Sequence, residues 1–225
     1  MGRIIFITGT DTGVGKTVLT ALLLHHLRQT GIHAIAIKPF CCGSRVDLEL
    51  FQALQGHELE FEEICPYFFD EQVAPLLAAR MQRQVAPMAK VLRHIRAVQR
   101  RCELLLVEGI GGLLVPLGET FMVRDLICEL GAEVILVGRT LVGTINHTLL
   151  SAKSLFESNN QLLSVVLMNT EEVDFSSTKN AGFLKEILHP TPVWTIPFLG
   201  KNICAPMAVK NNWKKNKKIL ARIVD

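Results

Sequence analysis

The stretch Gly9-Thr10-Asp11-Thr12-Gly13-Val14-Gly15-Lys16-Thr17 has the residue types and order needed to hold a run of phosphates. Glycines let backbone N–H groups turn inward on an anion, and a helix opening behind them adds its own unpaired donors. Because the stretch closes on Gly-Lys-Thr, Lys16 would offset charge on the outer phosphates and the Thr17 hydroxyl would ligate a magnesium ion. The strict phosphate-loop spacing is not met, since Thr10 rather than glycine stands six positions before Lys16 and Gly9 lies one further back. Many glycine-rich turns between a strand and a helix bind nothing. Here the apolar run Ile4-Ile5-Phe6-Ile7 reads as a buried strand and Val18 to Leu27 as a helix, which is the setting a phosphate loop requires.

Three further charged groups fall at positions from which they could reach the same place. Gly31 makes a natural helix C-cap, and Ile32 to Ile37 then reads as a strand that delivers Lys38-Pro39 at its carboxyl end. In doubly wound sheets ligands collect beyond the carboxyl ends of strands, so Lys38 is either aimed at the crevice of Lys16 or is a solvated charge. Asp47 lies in the first turn of a helix beginning at Val46, as a cap, a dipole partner, or a carboxylate for a metal held by Thr17. The clearest strand, Leu104 to Val107, ends in Glu108-Gly109-Ile110-Gly111-Gly112, where a glutamate could reach that metal directly or through water. Its glycines allow close backbone approach to a ligand. His147 could be a general base, but a histidine at a helix start is read as structural.

The elements that must position these groups come next. With 225 residues, 49% hydrophobic and 20% charged, the chain is expected to form one globular domain over 1–225 with a large core. Phe40 to Arg45 reads as a loop, and Gln52 to Asp70 as a mixed segment whose Glu58, Glu60, Glu62 and Glu63 form an exposed edge. Pro66 to Phe69 and Val73 to Pro75 read as packed loop. Helices are expected over Leu76 to Arg83, Met88 to Arg101, within Glu119 to Leu130, and on through Leu155. Further strands are expected at Glu133 to Val137, Leu162 to Met168 and Pro192 to Ile196. The lysines at 210, 214, 215, 217 and 218 read as a solvated helix face or tail, not a nucleic-acid site. Six cysteines without a C-x-x-C pair are expected to stay reduced, and no leader or membrane-length apolar run is seen, so a cytoplasmic protein without a membrane partner is expected.

In order along the chain, the phosphate loop, Lys38-Pro39, Val107 to Gly112, and Gly143-Thr144-Ile145-Asn146-His147 resemble the motifs of the dethiobiotin synthetases. The resemblance runs from the first strand to about Leu199. It implies an α/β fold of the three-layer P-loop NTPase type, a mostly parallel central sheet with helices on both faces. It also implies an ATP- and magnesium-dependent ligase of biotin biosynthesis that joins 7,8-diaminononanoate and carbon dioxide through a carbamate and its mixed anhydride with phosphate. By that resemblance Lys16, Lys38 and Thr12 serve catalysis, and Thr17, Asp47 and Glu108 hold the metal. Gly13, Val14, Gly15, Lys16, Thr17, Val18, Gly109, Ile110 and Gly111 would surround the phosphates. Asn169, Thr170, Pro197, Phe198 and Leu199 would cradle the base. Lys38, Cys42, Gly111 and Asn146 would meet the substrate, Asn146 from the second subunit of a homodimer. One departure stands out, because Cys42 occupies a position where the family has serine. The rival reading is a partitioning-type P-loop ATPase switch, whose loop carries a lysine five positions before the Gly-Lys-Thr lysine, where this chain has Asp11.

Overall fold

A computed structural model of the chain describes residues 2–172 and 175–224. In chain order the elements begin with β1 (Arg3–Gly9), α1 (Lys16–Gln29), β2 (Ala34–Ile37), β3 (Phe40–Cys42), α2 (Val46–Leu54), α3 (Phe61–Ile64) and β4 (Tyr67–Phe69). They continue with α4 (Pro75–Met81), α5 (Met88–Gln99), β5 (Leu104–Gly112), β6 (Pro116–Gly118), β7 (Phe121–Met122), α6 (Val123–Leu130) and β8 (Glu133–Arg139). The last are α7 (Thr144–Glu157), β9 (Leu162–Met168), α8 (Phe175–Ile187), β10 (Val193–Ile196) and α9 (Pro206–Val224).

Six strands form one sheet in the order β10-β9-β8-β1-β5-β2, every pair parallel. Helices pack around it, giving the expected three-layer α/β arrangement. The central strands are apolar on both faces, as burial between two helical layers demands, and Ile5, Ile7, Leu105, Val107, Ile135 and Val137 are wholly buried. Chain order reverses on either side of β1, so the crevice beyond its carboxyl end is the natural ligand site. Against β1 the register of β5 slips, Ile7 pairing with Glu108 but Gly9 with Gly112. That bulge carries Gly109, Ile110 and Gly111 out of the ladder just after Glu108.

Several local expectations are corrected. Phe40 to Cys42 is not loop but strand β3, paired in parallel with β4, where a packed loop was expected. Phe40 stacks on Tyr67 with ring centroids 5.0 Å apart, and Arg45 lies 4.5 Å over the Phe68 ring. The acidic run is at the surface as expected, Glu60 and Glu62 exposed and Glu58 and Glu63 half-buried, but it is also paired. Glu58 accepts from Arg28 at 3.1 Å and sits 2.6 Å from His33, while Glu60 and Glu63 cap α3 reciprocally. The helix expected within Glu119 to Leu130 is present as α6 from Val123, preceded by the β6–β7 hairpin, and Asp125 in its first turn accepts from the Met122 N–H at 2.8 Å.

The lysine-rich segment is the long helix α9, with its lysines exposed and Val209, Leu220, Ile223 and Val224 buried. It packs along α1, the Trp213 indole donating to His26 Nδ1 at 3.1 Å and meeting the His25 ring edge-on at 5.1 Å. Among the described residues no helix is long and apolar enough to cross a membrane, and all six cysteines are free thiols.

Candidate active site

The phosphate loop leaves β1 and is pinned at its start by the Thr10 N–H, which donates to the Val137 carbonyl of β8 at 2.8 Å. Gly13 and Gly15 take left-handed backbone, φ +70° and +101°, and a Cβ on Gly15 would meet Met168 Cγ at 2.9 Å. Glycine is therefore required there twice over, by conformation and by space. The Lys16 ammonium donates to the Asp11 carbonyl at 2.9 Å across the loop. Burial pulls this lysine down to about 8, with Glu108 acting against the shift and Lys38 adding to it.

Beneath the loop, residues from α1, α2, β5 and the link between β2 and β3 converge. The Thr17 hydroxyl lies 2.8 Å from Glu108 Oε1 and 3.1 Å from Asp47 Oδ2. Lys38 Nζ contacts the same two oxygens, Glu108 Oε1 at 2.8 Å and Asp47 Oδ2 more closely still. Burial alone would lower Lys38, but the two carboxylates override it and hold the ammonium above the ordinary lysine range. Glu108 is 1% exposed and its second oxygen, Oε2, has no hydrogen-bond partner among the described residues. A buried carboxylate oxygen left bare is costly unless a cation can reach it.

A cavity of about 640 Å³ joins the groups, with Thr12, Lys16, Thr17, Lys38, Asp47, Glu108, Gly111 and Cys42 in its walls. Lys16 and Lys38 thus share one hollow. A second cavity, about 210 Å³, opens on the other side of the loop, between Gly13, Gly15 and Val18 and the strand ends at Asn169, Thr170 and Pro197 to Leu199. Asn146 is exposed at the start of α7 and lines neither cavity, so the fold of the single chain does not bring it to Lys38. His147 lines a smaller hollow with Thr12. Burial pushes the Cys42 thiol up to about 11, which makes it a poor nucleophile at neutral pH.

Some lining residues carry no local signal in the sequence. Arg139, at the end of β8, donates to the Gly13 carbonyl from Nη2 at 2.7 Å and Nε at 3.2 Å. Gln72 to Pro75, Val115 and Cys204 close the larger cavity from distant parts of the chain. Arg139 closes a strand, a position that is itself a weak clue; the others had none.

Known proteins resolve the family. A model described as an AAA domain matches residues 3–201. The ATP-dependent dethiobiotin synthetase BioD of Anaeromyxobacter dehalogenans (strain 2CP-C) is 36% identical over 201 residues, 87% of this chain and 90% of that protein. The protein of the same name from Thermodesulfovibrio yellowstonii is 31% identical over 226 residues, 92% and 94% of the two chains. The chain belongs to the dethiobiotin synthetase family. As a dethiobiotin synthetase family member it is an ATP-dependent ligase of biotin biosynthesis. Among solved structures, the septum site-determining protein MinD from Pyrococcus horikoshii OT3, complexed with Mg-ADP, superposes with a TM-score of 0.63 at 17% identity, covering 99% of this chain and 93% of that one. The MinC:MinD cell division complex of Aquifex aeolicus gives 0.63 at 14%, covering 98% and 96%. At such identities the likeness is one of fold.

Proposed function

We propose that residues 1–225 form one catalytic domain that converts 7,8-diaminononanoate, carbon dioxide and ATP to dethiobiotin, ADP and phosphate. One amine of the substrate attacks carbon dioxide and loses a proton, giving a carbamate. A carbamate oxygen then attacks the γ-phosphorus as the bond to ADP breaks, and the second amine attacks the carbamate carbon, expelling phosphate and a proton as the ring closes. Carbamate and triphosphate repel each other, so bringing them into contact requires positive charge from both sides. Lys16, at the start of α1, and Lys38, just beyond β2, meet that need in one cavity. This meeting over Glu108 is the observation that carries the reading.

Thr17, Asp47 and Glu108 offer the hard oxygen donors magnesium prefers, and the unpartnered Glu108 Oε2 fits a nearby cation. Among the described residues no group of three or more His, Cys, Asp or Glu could hold a metal by itself, which suits an ion bound through one or two carboxylates plus phosphates. When bound, magnesium would neutralise charge on the transferring phosphoryl group. Lys38 would orient the carbamate, Thr12 and Gly111 would line its path, and Cys42 would contact the chain of the diamine. Gly13 to Val18, with Gly109 and Ile110, would surround the phosphates. Asn169, Thr170 and Pro197 to Leu199 would receive the base, and the Asn169 amide can both donate and accept toward it.

A homodimer with Asn146 acting across the interface completes the reading. Its support is that Asn146 is exposed and that Val142 and Leu150, four residues before and after it, are exposed apolar side chains at 80% and 60%. The reaction is proposed to run in the cytoplasm. Purified protein given diaminononanoate, bicarbonate, magnesium and ATP should yield dethiobiotin by mass, and Lys38→Ala should abolish product while ATP binding largely persists. Product at the wild-type rate from that variant would remove Lys38 from the mechanism.

A further inference from the structure

We infer that Arg139 is a nucleotide-binding residue, its guanidinium clasping the phosphate loop through the Gly13 carbonyl while its remaining donors face the inner phosphate of ATP. The inference rests on the base lying in the smaller cavity, and it adds a cation at the opposite end of the triphosphate from Lys16.

The placement follows from the sheet. β8 lies beside β1, Thr10 ties the loop's first residue to Val137, and Arg139 is the last residue of the same strand. From there Nη2 and Nε both donate to one carbonyl oxygen, at 2.7 Å and 3.2 Å. A Cβ on Gly13 would stand 3.0 Å from Nη2, so glycine at this position also makes room for the guanidinium. A guanidinium has five N–H donors and is charged at every accessible pH, so three donors are left over. Among the described residues no carboxylate pairs with it.

Its surroundings say what those donors meet. Arg139 is the one cation among the described residues lining the cavity of Pro197 to Leu199, where the Glu171 carboxylate is taken up by Lys201 at 2.8 Å. It also lines the hollow of Thr12 and His147, where Asp11 accepts from the Thr12 N–H at 2.6 Å. A nucleotide with its base against Phe198 and its outer phosphates at Lys16 must pass its inner phosphate and ribose by Gly13 and Gly15, under this guanidinium. Charge-assisted hydrogen bonds to phosphate are among the stronger polar contacts, and arginine suits that geometry better than lysine.

Calorimetry with adenosine, AMP and ADP as probes, in the absence of diamine, keeps this test separate from the dethiobiotin assay. Arg139→Met should weaken AMP and ADP by about tenfold or more, the size expected for a lost charge-assisted bond. Adenosine should bind as before, Arg139→Lys should recover part of the loss, and in turnover the KM for ATP should rise more than kcat falls. Equal weakening of adenosine, which would mean that the arginine only props the loop, or unchanged AMP and ADP affinity, would overturn the inference.

Discussion

At the scale of single residues, the site turns on two oxygen atoms that each serve two donors. Glu108 Oε1 and Asp47 Oδ2 both face the Thr17 hydroxyl and both face the Lys38 ammonium. A divalent cation taken up at Thr17, Asp47 and the second Glu108 oxygen would share both carboxylates with the Lys38 ammonium and lie beside its charge, so ammonium and metal compete. Lys38→Met should therefore tighten manganese binding to the nucleotide-free protein, read by electron spin resonance, and do so by a larger factor than Lys16→Met, which removes a charge of the same sign from the same cavity. Equal effects from the two variants would show that only net charge matters. The exchange should also destabilise the fold by about 3 kcal/mol in metal-free buffer, because a wholly buried carboxylate loses its ion-pair partner.

At the scale of elements, α1 links the chemistry to the back of the molecule, since it begins at Lys16 and meets α9 at His25 and His26. His25 lies in that seam, held below its ordinary value of 6.5 first by burial and then by the charges of Lys210 and His26. The unfolded chain therefore binds a proton at His25 where the folded one does not. Stability from this group is present above pH 6.5 and is lost as pH falls through that value toward the lower folded-state one. Melting temperature should drop on mild acidification, and His25→Gln should flatten that dependence. An unchanged slope in the variant would place the acid sensitivity elsewhere.

At the scale of the whole molecule, the single chain brings together Lys16, Lys38, Thr17, Asp47 and Glu108 but leaves Asn146 outside. A closed twofold dimer would bury the apolar residues around Asn146 and place it in a neighbouring site. Mixing Lys38→Ala with Asn146→Ala, after unfolding and refolding together, should then restore activity that neither has alone, because one site of each mixed dimer is intact. A mixture as inactive as its parts would argue that Asn146 acts within its own subunit or not at all.

Gly-Lys-Thr after an apolar strand, and a glutamate closing a second such strand, were legible because each is a local pattern whose chemistry and strand-end position travel together. Long apolar runs likewise marked the six-stranded sheet. The short pairing of Phe40 to Cys42 with Tyr67 to Phe69 was not legible, since neither segment is long enough to show a period and each is a strand only in the presence of the other. Nor could the sequence alone decide among the readings of Asp47 and Lys38, because a charged side chain at an element's end is solvated or functional according to what distant segments bring against it. Tertiary packing made that decision, by excluding water around Glu108 and leaving the hydroxyl, the ammonium and the second carboxylate to satisfy one another.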